Sequence, residues 1–485
     1  MAGQVEAKAA EGGEVELRRV LGPWQLIGIG IGAIIGAGIF VITGQAAADH
    51  AGPAIVLSFV FACVGCAFAG LCYAELAAMI PASGGAYTYS YAAFGRLVGW
   101  MIGWDLCLEY GMAASTVAVG WGGYFKALLS HVGIEIPAQF ASAPFAQAKD
   151  GSLIATDAIV NLPAVGVVVL LTSLLIVGIR SSAGFNNAMV LLKLAIVLLV
   201  ILFGLPLISG ENLTPFIPEN TGKFGEYGWS GILAASGVIF FAYIGFDSVS
   251  VAAQEAKNPQ RDLPIGILGS LAICTVLYIL MSLTMVGLAH YSTLKVDAPV
   301  SVAIAAAGEQ LAWLRVWVEV GAIAGLSTVI LVSLYGQTRI FYAMARDGFL
   351  PPVFAKVDPK SRTPVLSTII IGAVVAFFAG VFPLDILGDM VSAGTLIAFI
   401  LVCLAVIVLR YTRPNVKRPF KTPLYPIVPI AGIIVCGLMV WPLLETLWIR
   451  VLGWLAIGLV IYFVYGQFHA KEPQWKLVDE PPPAK

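Results

Sequence analysis

Stretches of about 20 mainly apolar residues recur twelve times between Trp24 and Phe468, and that is the length an α-helix needs to cross a hydrocarbon layer of roughly 30 Å. They fall near 24–47, 53–80, 95–125, 159–179, 186–207, 231–253, 264–289, 313–341, 364–382, 386–409, 426–444 and 448–468. With 59% hydrophobic and only 11% charged residues among 485, a water-soluble globule is excluded. The expected fold is an all-α polytopic membrane protein with twelve transmembrane helices.

Lys and Arg in the connections set the expected orientation, because translocating positive charge is disfavoured. With the N-terminus inside, twenty basic residues lie on the cytoplasmic side, six lie outside, and Lys193 alone falls within a span. Residues 1–23 are polar and lack the pattern of a cleavable signal, so both termini are expected in the cytoplasm. All seven cysteines lie in apolar segments and read as packing residues, including the CxxC pair Cys63 and Cys66. The four histidines are scattered, so no metal site is expected. No phosphate-binding loop ending in GKS or GKT occurs. Neither catalytic residues, a cofactor nor nucleic-acid binding is expected; membrane lipid is.

Within this frame the first span is unusual. GIGIGAIIGAGIFVITG, residues 28–44, carries glycines at Gly28, Gly30, Gly32, Gly36, Gly38 and Gly44. The sixth span is interrupted in a comparable place by Gly245 and Asp247. Paired broken helices, one in each half of a multi-span chain, point to a transporter with its site in mid-membrane. A break in lipid leaves backbone groups unpaired, at several kcal/mol apiece unless something satisfies them. The half-helix beyond Gly36, Ala37 and Gly38 aims N–H groups and a positive dipole end at a carboxylate. Carbonyls released at Ile34, Phe241, Ala242 and Ile244 suit an ammonium. A zwitterionic amino acid satisfies both, whereas the alternative is that the glycines serve only close helix packing.

Three motifs, GIGIGAIIGAGIF, FFAYIGFDSVSVAAQEAKNPQRDLP and GQTRIFYAMARDGFLP, resemble the first-, sixth- and eighth-span motifs of the amino acid-polyamine-organocation superfamily, and most closely its cationic amino acid transporters. The resemblance runs from Trp24 to the last span. It implies the leucine-transporter type of fold, with a 5+5 inverted repeat, discontinuous helices 1 and 6 and two extra helices, working by alternating access. The expected divisions are a cytoplasmic segment 1–23, a first repeat 24–207, an extracellular connection 208–230, a second repeat 231–409, a cytoplasmic loop 410–425, helices 11 and 12 over 426–468, and a tail 469–485. The resemblance assigns the carboxylate to the backbone of Ala37 and Gly38 and the amine to Ile34, Phe241, Ala242 and Ile244. Relatives often carry Ser or Thr where Ala37 stands, so a hydroxyl contact is lost here.

Lys193 lies seven residues past Asn186, about 10 Å into the fifth span. An intramembrane lysine is a functional candidate because burying an ammonium is costly. In proton-coupled relatives a lysine here resembles a built-in substitute for sodium, near the first span and a Ser–Thr pair that Ser327 and Thr328 match. Lys193 is expected to gain and lose a proton; a structural lysine is the alternative. Asp105 and Glu109 are spaced i to i+4; Glu109 and Asp247 are candidates for the proton route or for structural hydrogen bonds. Glu75, Glu255, Lys257 and Arg261 read as charges near the inner ends of spans. Phe240 is the candidate gate.

The expected function is a proton-coupled amino acid symporter of the bacterial inner membrane. Its substrate is cationic, such as arginine, lysine or ornithine, or small and neutral, such as alanine. An obligate amino acid or polyamine exchanger is the alternative mechanism, and a channel or an amino acid receptor lies outside this class.

Overall fold

A computed structural model describes residues 21–80, 85–147, 153–177, 183–247, 249, 256–358 and 363–471. Most of the expected N-terminal segment and C-terminal tail, the end of the sixth span and Glu255 lie outside them. Between its connections the described chain is helical, with one hairpin, β1 (Phe145–Gln147) against β2 (Leu153–Ala155), in the connection after the third span and a single bridge between Leu21 and Ala256. Helix dominates for a plain reason: in lipid each backbone N–H and C=O must be paired within its own segment.

In chain order the helices are α1 (Pro23–Ile34), α2 (38–51), α3 (Ile55–Met79), α4 (Gly85–Phe94), α5 (96–131), α6 (Leu162–Val177) and α7 (Ala183–Gly204). Then come α8 (Gly228–Ile239), α9 (Pro259–Leu288), α10 (Pro299–Ala306), α11 (Ala312–Arg346), α12 (Val365–Val381), α13 (Leu384–Thr412) and α14 (Ile427–Ile461). Among the described residues seven helical stretches are long and apolar enough to cross a membrane, and four shorter apolar helices accompany them, Pro23–Ile34, Leu162–Val177, Gly228–Tyr243 and Val365–Val381. The first and sixth expected spans fall short because their helices stop at a break. Residues facing outward are themselves apolar, among them Leu198, Leu202, Val374, Phe377 and Val464, as lipid contact demands. This is a multi-pass membrane protein.

Helices 11 and 12 were expected to be separate. The helical backbone of α14 nonetheless runs on from Ile427 to Ile461, although Pro442 inside it has no N–H to give the helix ladder. Two apolar stretches, Ile427–Glu445 and Leu447–His469, can each span a bilayer. Trp100 and Trp104, near the start of α5, donate to Gly458 O and Trp454 O at 2.8 and 2.9 Å.

The helices that carry the site pack tightly on their neighbours: α9 against α1 and α3, α11 against α5 and α7, and α13 against α14. At one end of the bundle Lys257 N donates to Leu21 O (2.8 Å), which ties the start of α1 to the segment leading into α9. At that end α3 and α13 are joined by Glu75, only 1% exposed. Arg410 reaches it in a fork, Nε to Oε1 at 3.0 Å and Nη2 to Oε2 at 2.7 Å, and Thr422 N donates to Oε2 at 2.7 Å. Removing one partner strands the rest in a dry site, at a cost of about 3–5 kcal/mol. Glu75→Ala is therefore expected to lower the thermal unfolding midpoint of the detergent-solubilised protein by several degrees, read by a thermal-shift assay; an unchanged midpoint rejects the anchoring role.

Candidate functional site

The interruption in the first span begins where α1 runs out of helical backbone. Ile35 is extended (φ −71°, ψ 104°), and the helix resumes at Ala37, first as the π-helical turn Gly38–Ile42. A helix end leaves its last carbonyls without intrahelical donors, and here most of those at the break can be traced. Ile31 O accepts from Ile35 N (3.0 Å). Lys193 Nζ donates to Gly32 O (3.0 Å) and Ile35 O (2.9 Å). Tyr278 on α9 bonds through its hydroxyl to Ile34 O (2.8 Å).

The sixth span breaks in a matching way. After Ile239 the backbone tightens to a 3-10 turn, Phe240–Tyr243, and Ile244 then turns out of helix (φ −57°, ψ 134°). Gly245 follows at φ +115°, a conformation that disfavours any side chain. A Cβ there would also lie 2.8 Å from Ala33 O. The two breaks touch: a Cβ on Gly38 would run into the Cα and N of Ala242. Thus the glycines at Gly38 and Gly245 let two interrupted backbones meet.

Beside this junction is a cavity of about 780 Å³. Ile34, Gly36, Ala37 and Gly38 line it from the first span, and Phe241, Ile244 and Asp247 from the sixth. Glu109, Ala113 and Val117 enter from α5, Lys193 from α7, and Thr328 and Val329 from α11. The cavity continues along α1 to Gln25 and Leu21, so it reaches the end of the bundle that holds the start of that helix. A second cavity, about 330 Å³, lies toward the opposite end and is lined by Asp49, His50, Lys295, Asp385 and Asp389 among others. On the first span the larger cavity touches Gly38 and the smaller one Ile42; on the sixth they touch Phe241 and Val238. Ile39, Phe40, Ile239 and Phe240, all fully buried, therefore form the partition.

Most residues singled out in the sequence converge on the large cavity; Ala242, Phe240 and Ser327 do not line it. Ala242 sits behind the break, its carbonyl bonded by the Tyr278 hydroxyl at 2.9 Å. Phe240, the candidate gate, packs edge-on against Phe399 with ring centres 5.2 Å apart. Ser327 accepts from Trp121 Nε1 (2.9 Å) and donates to Ile323 O (2.7 Å), while Thr328 donates to Gly325 O (2.7 Å). Both hydroxyl hydrogens go to carbonyls within α11, and the hydrogen bonds of the Lys193 ammonium run to the first span, at Gly32 O and Ile35 O. Its stem lies over Gly325, where a Cβ would come within 2.7 Å of Lys193 Cγ.

Lys193 is 2% exposed and Glu109 6%. Glu109 falls in a π-helical turn, Leu108–Met112, a local widening that recurs at functional positions in helices. Asp105 does not line the cavity and packs against α13, with Oδ1 2.7 Å from where a Cβ of Gly394 would stand. The sequence reading missed Tyr278. Its signal was modest: a lone phenol in the apolar run LAICTVLYILM, whose O–H has to find a partner once buried.

The family described as amino acid permease matches residues 21–466. The chain is 45% identical to the branched-chain amino acid permease of Bacillus subtilis (strain 168) over 464 residues, 96% of each chain. It is 42% identical to the methylthioribose transporter of the same bacterium, over 96% of this chain and 97% of that one. Against the vacuolar cationic amino acid transporter 4 of Arabidopsis thaliana the identity is 38%, over 83% of this chain and 65% of the plant protein. The chain belongs to the amino acid permease family, in the amino acid-polyamine-organocation superfamily alongside its cationic amino acid transporters, and so to membrane transporters rather than enzymes.

Proposed function

We propose that this protein is a secondary active transporter that carries an L-amino acid with an apolar, branched side chain across the plasma membrane by alternating access, coupled to protons through Lys193. The observation that carries this reading is the meeting of two interrupted helices at one cavity. The N–H groups of Ala37 and Gly38 open a helix and lack intrahelical acceptors, so they suit the substrate carboxylate. The carbonyls of Ile34, Phe241, Ala242 and Ile244 suit the amine, as a carbonyl with one lone pair engaged still offers the other.

Ala113, Val117 and Val329 give the cavity apolar walls, which favours an aliphatic side chain and agrees with the name of the Bacillus permease. Glu109 and Asp247 on the same cavity favour a second reading, a cationic side chain as in the plant transporters. In this scheme the chain has twelve spans in a 5+5 inverted repeat, with two further spans, in the bacterial inner membrane. Both termini are cytoplasmic and the large cavity opens inward.

Labelled leucine uptake into proteoliposomes, with unlabelled leucine, valine, alanine, arginine and lysine as competitors, tests the substrate. Leucine and valine are expected to inhibit at least about tenfold more strongly than arginine or lysine, since a buried charge without a fitted partner costs more than a tenfold loss. Stronger inhibition by arginine transfers the assignment to the cationic reading. An inward proton gradient is expected to drive accumulation. Transport that requires amino acid on both faces and ignores the gradient identifies an exchanger.

A further inference from the structure

The Tyr278 hydroxyl faces a shortage of hydrogens. It lies 2.8 Å from Ile34 O and 2.9 Å from Ala242 O, and both neighbours are acceptors. A phenol has one hydrogen to give, so at any moment one of the two carbonyls is left without it. The adjacent Tyr243 hydroxyl faces only one carbonyl, Phe59 O (3.0 Å); its other neighbour is the Thr275 hydroxyl oxygen (3.1 Å), whose own hydrogen goes to Leu271 O (2.7 Å). Buried carbonyls are rarely left short, and Tyr278, Ile34 and Ala242 are all 2% exposed or less.

We infer that Tyr278 is a positioning residue that selects for the substrate's amino group. It holds the carbonyls of the two broken helices within two hydrogen-bond lengths of one another and satisfies only one of them. An incoming ammonium supplies the missing hydrogen, and the phenol turns to whichever carbonyl the ammonium leaves. Ligands without an N–H or O–H at the α-carbon leave the shortage in place. The phenyl ring is a separate matter: it packs on Phe59 and Tyr243, at 5.4 and 5.5 Å between ring centres, and those contacts survive loss of the hydroxyl. This inference rests on the proposal that the carbonyls of the breaks receive the amine.

The test compares L-leucine with 4-methylpentanoate, which keeps the carboxylate and side chain but lacks the amine, as competitors of leucine uptake in wild-type protein and Tyr278→Phe. Wild type is expected to prefer leucine strongly. In Tyr278→Phe the preference should shrink about tenfold, through weaker leucine binding with 4-methylpentanoate unchanged, because the carbonyls of Ile34 and Ala242 are no longer held together for the ammonium. Equal weakening of both ligands, or an unchanged ratio, overturns the inference and leaves the transport reading standing. A wild-type protein that binds the two alike defeats the amine assignment itself and the inference with it.

Should Tyr278→Phe not fold, wild type alone decides. Leucine, 2-hydroxy-4-methylpentanoate and 4-methylpentanoate offer progressively fewer hydrogens and are expected to bind in that order. Equal binding of the last two overturns the inference.

Discussion

Lys193→Ala is expected to lose roughly ten- to a hundredfold of its proton-driven amino acid accumulation in proteoliposomes while retaining counterflow of labelled against unlabelled substrate. The ammonium bridges Gly32 O and Ile35 O across the break in the first span. Each buried carbonyl that loses its donor costs about 1–3 kcal/mol, and 1.4 kcal/mol is a factor of ten. If this lysine carries the proton, the bridge forms when Nζ is charged and relaxes when it is neutral. Conformation of the first span is then linked to protonation, and alanine severs that link. Binding at the carbonyls of Ile34 and Ala242 has its own support in Tyr278 and should persist. The separation of the two assays is the informative result. Accumulation and counterflow falling together, with a lowered unfolding temperature, indicates a lysine that only braces the helix end; accumulation at wild-type level removes Lys193 from coupling.

Gly38→Ala should reduce transport by about a hundredfold or more, whereas Gly36→Ala should stay within roughly threefold of wild type. The two glycines are separated by one residue and face different neighbours. A methyl on Gly38 would occupy the position of Ala242 Cα and N, part of a backbone already fixed by its own break. A methyl on Gly36 meets Val329 Cγ2 at 3.3 Å, the tip of a side chain that can give way. Overpacking costs ~1–3 kcal/mol when side chains move and more when main chain must. Restoring space with Gly38→Ala/Ala242→Gly is expected to recover only part of the activity, because Ala242 backbone atoms remain in the way. Initial uptake rates normalised to protein incorporated in the liposomes measure all three. Equal behaviour of Gly36→Ala and Gly38→Ala would show that the helices do not depend on this contact.

Ser327 and Thr328 match a motif by position, yet the direction of a hydroxyl depends on the nearest free carbonyl. On an α-helix that is commonly the one three or four residues back, and both take it, at Ile323 O and Gly325 O. Phe240 stands next to the cavity in sequence, but α13 offers Phe399 on the other side and the ring turns to it. Neither outcome has a local signature.

Composition and the spacing of apolar runs determined the membrane environment, because twelve stretches of spanning length leave no other way to bury them. The places where two helices stop were also written locally, in Gly36, Gly38 and Gly245, since backbone freedom is a property of the residue itself. Lys193 declared itself by its charge in an apolar run. Only the tertiary structure decided which atoms complete the breaks: Lys193 on Gly32 and Ile35, and Tyr278 between Ile34 and Ala242, which lie 244 and 36 residues from it in the chain. It alone decided that the large cavity runs toward Leu21 while Phe40 and Phe240 seal the other side. A hydrogen bond is fixed by distance and direction between elements remote in sequence, and no window of residues contains that information.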